Sequence, residues 1–122
     1  MMFAAPQLAA EIDRAEGRLC AGIAQIAAAD VSNRCAVVEV GGGVGVFAGP
    51  GSPTNKMIGV GFERLPRDQE LEAVEALFAE REAPLQAEVA TLANPLLHAQ
   101  LTRRGYVPQG FENVLGRSLA DA

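Results

Sequence analysis

The stretch VEVGGGVGVFAGPGSP (residues 38–53) gathers Gly41, Gly42, Gly43, Gly45, Gly49 and Gly51 behind a run of β-branched residues. Such a cluster serves either as a phosphate-cradling loop or as a tight hairpin turn. A dinucleotide fingerprint requires G-x-G-x-x-G after a strand and opening a helix. Gly43, Gly45 and Gly49 are spaced G-x-G-x-x-x-G, one residue too long, and the following VFAGPGSP cannot start a helix. A P-loop needs Gly-Lys, and the sole lysine, Lys56, follows Asn55. Without a helix N-terminus behind it, the cluster lacks the aligned N–H groups that hold a phosphate. Glycines between two apolar strands suit a hairpin with positive φ angles. The stretch is read as a hairpin.

The order of elements follows outward from that hairpin. CAVVEV (35–40) and VGVFAG (44–49) are its strands, PGSPTN (50–55) is a loop, and KMIGVGF (56–62) is a third strand. Upstream, Leu8, Ile12, Ala15, Leu19, Ile23 and Ile26 recur at helical spacing behind Pro6, predicting one long helix or two abutting ones. Downstream, Leu71, Val74, Leu77 and Phe78 share a helical face, with Asp68 as N-cap and Glu70 in the first turn. PLQAEVATL (84–92) reads as a strand. Asn94-Pro95 opens a last helix, with Arg103 and Arg104 in its final turn and Gly105 at its stop. The tail YVPQGFENVLGRSL (106–119) reads as a closing strand or strand pair. The predicted order is α-βββ-α-β-α-β, an α/β (α+β) mixed sheet flanked by helices, in one domain over residues 1–122.

Composition bounds the function. The chain has 122 residues and a net charge of −5, with its acidic residues concentrated in RDQELEAVEALFAERE. No basic stripe or RNA-binding aromatic motif is present, so no nucleic-acid partner is expected. The negative charge disfavours an anionic membrane surface. No window reaches the roughly 18 apolar residues of a membrane span. The N-terminus lacks a secretory pattern, and a cytoplasmic protein is expected. Cys20 and Cys35, with His98 the lone histidine, make neither a disulfide framework nor a metal pattern, and the cysteines read as small hydrophobes. His98, flanked by leucines, reads as a packing or surface residue. The glutamates of residues 70–82 read as a solvated face.

The last third, NPLLHAQLTRRGYVPQGFENVLGRSL, resembles the C-terminal part of a GNAT-superfamily N-acetyltransferase domain. There a helix opened by Asn is followed eleven residues later by Gly and an aromatic; Asn94, Gly105 and Tyr106 match that spacing. The element order resembles the superfamily over most of the chain. More narrowly, GGGVGVFAGPGSP, APLQAEVATLANPLL, RRGY and FENVLGRSL resemble the divergent N-terminal half of bacterial tandem-GNAT proteins. The resemblance implies a mostly antiparallel GNAT-like sheet and, in relatives, acetyl transfer from acetyl-CoA to an amine. It places the coenzyme along Val60, Phe62, Asn94 and Tyr106. Glu63 or Glu88, or a water they order, would be the base. Backbone N–H groups of the two central strands would hold the developing oxyanion. No metal is implied.

Two departures bear on activity. The superfamily's pyrophosphate loop, [QR]-x-x-G-x-[GA], corresponds to FERLPRDQELEA (62–73), which has no glycine and carries Asp68 and Glu70 where the helix opens. The tyrosine that protonates the leaving thiolate in many members, seven residues after the Asn, is here Leu101. Two expectations follow: an acyltransferase-like domain, degenerate in this chain, or a non-catalytic GNAT-like dimerisation or docking module. Its partner would be a second copy, forming a dimer, or another GNAT-like domain, reached by an exposed sheet edge helped by the apolar stripe of the first helix.

Overall fold

The computed structural model describes residues 5–117 and 119. Its elements run α1 (Pro6–Ala27), β1 (Ala36–Val40), β2 (Gly43–Phe47), β3 (Lys56–Ile58), α2 (Asp68–Glu80), β4 (Ala87–Glu88) and α3 (Leu96–Arg103). The sheet order is β1-β2-β3-β4; β1–β2 and β2–β3 are antiparallel, and β3–β4 is parallel. This is a mixed α+β fold with a mostly antiparallel sheet.

The glycine stretch is a hairpin. Val40 pairs with Gly43, leaving Gly41 and Gly42 as a two-residue loop with φ of 55° and 80°. Two consecutive positive φ angles match the twist of the flanking strands, and glycine adopts them without a Cβ penalty. On β2 the side chains alternate between two layers. Val44 and Val46 pack against Cys20 and Ala24 of α1. Phe47 turns to the other face, where its ring meets Phe78 of α2 edge-on at 5.6 Å between centroids. The guanidinium of Arg81 lies 5.4 Å from the Phe47 centroid. Leu71, Val74 and Phe78 complete that layer with Leu97 and Leu101 of α3.

The first helix is continuous, but its orientation reverses the ordinary rule. Its buried residues are Gly17, Cys20 and Ala24, whereas Leu19 and Ile26 are 63% and 79% exposed. The reason is close approach. A Cβ on Gly17 would lie 3.1 Å from Val44 Cγ2, so only the small-residue face fits over the sheet. An ion pair from Glu16 to Lys56 at 2.7 Å holds the same face inward.

Several expected boundaries move. β3 ends at Ile58 because Gly59 and Gly61 take φ of 79° and 88° and leave extended geometry. β4 shrinks to two residues, since as an edge strand it pairs only with the short β3. Arg67, not Asp68, is the N-cap of α2, because the Glu70 carboxylate accepts from the Arg67 N–H at 2.9 Å. The expected closing strand is absent: residues 106–117 form no regular element, and Ser118 lies outside the described residues. Pro108 lacks a donor for a ladder, and Val107, Phe111, Val114, Leu115 and Leu119 stay exposed. Among the described residues no helix is long and apolar enough to cross a membrane.

Candidate functional site

The tip of the β1–β2 hairpin, the end of β3 and the start of α2 converge. Helix N-termini present unpaired N–H groups and partial positive charge, and the region attracts an anion. That anion is internal. Glu70 Oε1 accepts from the Arg67 N–H at 2.9 Å and from Arg64 Nη1 at 2.6 Å. Its Oε2 accepts from Arg64 Nη2 at 2.8 Å and from the Gly41 N–H at 3.2 Å. The Arg64 guanidinium, then the Arg67 and Gly41 amides, hold the Glu70 carboxyl far below the usual carboxylate range. A glycine of the hairpin thus does donate to an anion, but the anion is a side chain of the same fold.

The backbone behind the tip is also engaged. The Gly61 N–H donates to the Gly41 carbonyl at 3.1 Å, and the Asn94 N–H donates to the Gly61 carbonyl at 2.9 Å. The Asn94 carboxamide accepts from the Leu96 N–H at 3.0 Å in the turn leading into α3, but Pro95, not Asn94, is the N-cap of that helix. Val60 is buried in the α2–α3 core, and Phe62 is half-buried against it. Tyr106 donates its hydroxyl to Glu75 Oε2 at 2.9 Å, and the same carboxylate oxygen accepts from Arg104 Nε at 3.1 Å. Burial, then the Glu75 carboxylate, pushes the Tyr106 phenol well above its ordinary value. Leu101, at the position of the missing tyrosine, is core.

The two glutamates named as bases have different surroundings. Glu63 is exposed at the mouth of a cleft of about 130 Å³ between α1 and the ends of β2 and β3. The cleft is lined by Asp13 and Glu63 against Arg14 and Arg18, so it offers no net charge to a polyanion. A shallower groove of about 290 Å³ continues past Arg14 toward Pro6. Glu88 instead accepts from Lys56 Nζ at 2.6 Å. Lys56, 8% exposed, also donates to Glu16 at 2.7 Å. Desolvation alone would lower the Lys56 pKa, but the two carboxylates outweigh it and the ammonium is held above its ordinary value. Asp13 beside this cluster is raised, by burial first and then by the charges of Glu16 and Glu88.

The Lys56 cluster and the Arg64–Glu70 clamp are the polar centres that sequence reading did not assemble. A lone lysine opening an apolar strand was the available signal, since a buried ammonium needs carboxylate partners. His98 is exposed, Cys20 is buried and Cys35 half-buried, both as free thiols. No group of metal-ligating side chains occurs among the described residues. No model of a known protein family, no curated protein and no solved structure matches this chain.

Proposed function

We propose that this chain is a GNAT-like domain that works by associating with another protein domain, as a non-catalytic dimerisation or docking module, its relatives being acetyl-CoA-dependent acyltransferases. The observation that carries this reading is the Glu70 carboxylate, seated at the start of α2 on the Arg67 and Gly41 amides and gripped by Arg64. A coenzyme pyrophosphate placed there would have to displace the Glu70 carboxylate from the Gly41 and Arg67 amides and from Arg64, which already fill the role of an anion at the helix start.

The remaining chemistry agrees. Glu88 is committed to Lys56 and Tyr106 to Glu75, while the Gly61 N–H is spent on Gly41. An oxyanion hole needs donors that are free to meet the developing charge. Isothermal titration with acetyl-CoA tests the reading. No heat and no melting shift at high micromolar ligand is expected. Binding at micromolar affinity would overturn it, because ligand at a hundred times Kd stabilises by about 2.7 kcal/mol and would be plain in a melt.

A further inference from the structure

Four charged side chains line the cleft between α1 and the ends of β2 and β3: Asp13, Arg14, Arg18 and Glu63. Two are acidic and two basic, yet none forms an ion pair with another or with any other group among the described residues. The other polar centres are satisfied from within, Lys56 by Glu16 and Glu88, Glu70 by Arg64 and two amides. Here the charges stand open on a concave surface.

Each sign lacks a partner for a separate reason. Asp13 lies on the inner row of α1, four residues before the buried Gly17, and is half-buried. Its neighbours are Glu16, Glu88 and the single cation Lys56, which those two carboxylates already engage. Asp13 is therefore a partly desolvated carboxylate with no cation of its own, and it favours an ammonium. Arg14 and Arg18 are exposed on the adjoining row, four residues apart, where like charges repel. An anion placed between them relieves that repulsion, and guanidinium forks suit a carboxylate.

The interior of the cleft is apolar. Val44 and Ile58 form its floor, with Ala21 on α1. Its far wall is backbone at Gly42, Gly43 and Gly59. A Cβ on Gly59 would stand 3.5 Å from Gly43 Cα and 3.9 Å from the Asp13 carbonyl oxygen, so a side chain there would fill the gap between strand and helix. A cavity of about 150 Å³ holds benzene; the cleft, at about 130 Å³, has room for a short aliphatic group. The groove of about 290 Å³ beside it shares Ala10, Arg14, Phe62 and Glu63 with the cleft, leaving space at the mouth for a charged head.

We propose that this cleft binds a small zwitterion, a free α-amino acid with an aliphatic side chain. The ammonium meets Asp13 and Glu63, the carboxylate lies between Arg14 and Arg18, and the side chain rests on Val44 and Ile58. A simple amine would leave the two arginines facing each other, and a simple acid would leave Asp13 without a cation. Such a site neither requires nor excludes an associated domain, so the acetyl-CoA titration bears on the non-catalytic reading alone.

Calorimetric titration of the full chain at neutral pH with L-valine and L-leucine tests the site. Dissociation constants of about 0.1–1 mM are expected for ligands of this size. N-acetyl-L-valine, which lacks the ammonium, and L-valinamide, which lacks the carboxylate, should each bind at least about tenfold more weakly. Asp13→Asn should weaken L-valine about tenfold and leave N-acetyl-L-valine unchanged, whereas Arg14→Gln with Arg18→Gln should weaken L-valine and leave L-valinamide unchanged. No binding of either amino acid at about 10 mM overturns the proposal. Equal binding of L-valine and both blocked forms overturns the zwitterion. Binding indifferent to the substitutions overturns the location, and a valine-initiated peptide held as tightly as L-valine overturns the free amino acid as ligand. Should Asp13→Asn fail to fold, Glu63→Gln and the arginine pair, all at exposed positions, decide alone.

Discussion

Glu70→Gln is the most informative single substitution. It keeps the size of the side chain and an oxygen for the Arg67 N–H, but removes the charge that Arg64 and the α2 N-terminus hold. Three contributions are lost or weakened. A charge at a helix N-terminus is worth about 0.3–1 kcal/mol. The ion pair with Arg64, whose side chain is 43% exposed, is screened by solvent and adds little to the other two. The Gly41 amide bond adds roughly 0.5 kcal/mol of charge assistance. The sum is about 1–2 kcal/mol, or roughly 3–10 °C in melting temperature for a chain of this size. Glu70→Ala, which also abandons the amides, should cost about 2–3 kcal/mol.

The pH dependence identifies the cause. Glu70 is depressed in the folded state, so its stabilisation is fully present above the ordinary carboxylate pKa near 4.5. It is lost as pH falls below that value toward the depressed one. The gap between wild type and Glu70→Gln should therefore be constant from neutral pH down to about 5 and close on further acidification. Urea melts monitored by circular dichroism across that range measure it. A variant as stable as wild type at pH 7, or a gap unchanged at low pH, would refute the assignment of Glu70 as an internal anion.

Other consequences can be checked with similar means. Tyr106 is the only tyrosine and there is no tryptophan, so ultraviolet titration reads its ionisation alone; phenolate should appear only well above pH 10, and ordinary titration would contradict its bond to Glu75. Since that phenol is raised, the stability it confers is present below pH 10 and declines as pH rises beyond it. Lys56→Met should destabilise by about 1–3 kcal/mol, because Asp13, Glu16 and Glu88 lose their shared cation but keep access to water; a neutral melt would argue against the cluster. Phe78→Ala should cost about 3–5 kcal/mol by opening a cavity against Phe47, measured by chemical denaturation. Gly42→Ala should cost about 1–2 kcal/mol, because its φ of 80° suits glycine.

The candidate site was legible in parts. The start of α3 could be read from the Asn-Pro pair because helix starts are local, although Pro95 and not Asn94 is its N-cap. The absence of a glycine from FERLPRDQE was equally plain, and so was an acidic first turn. That Glu70 would reach back to Arg64 and across to Gly41 was not, because it brings together residues 29 apart in sequence. Glu88 looked available as a base until β3 and β4 paired in parallel and placed it beside Lys56.

The sequence by itself determined the elements with strong local causes. The two-glycine hairpin, the period of α2 and the Gly105 stop of α3 all depend on backbone preferences acting over a few residues. Only the tertiary structure decided which face of α1 is inner. Periodicity locates an apolar stripe but carries no information about how near a sheet will come. At the distance set by Val44, only Gly17, Cys20 and Ala24 are small enough to fit, so the larger residues were left outside. The same holds for the tail, whose extended, apolar pattern suits a strand but whose described residues pair with neither edge of the sheet. Strands and buried faces exist by agreement between distant segments, and that agreement is made in three dimensions.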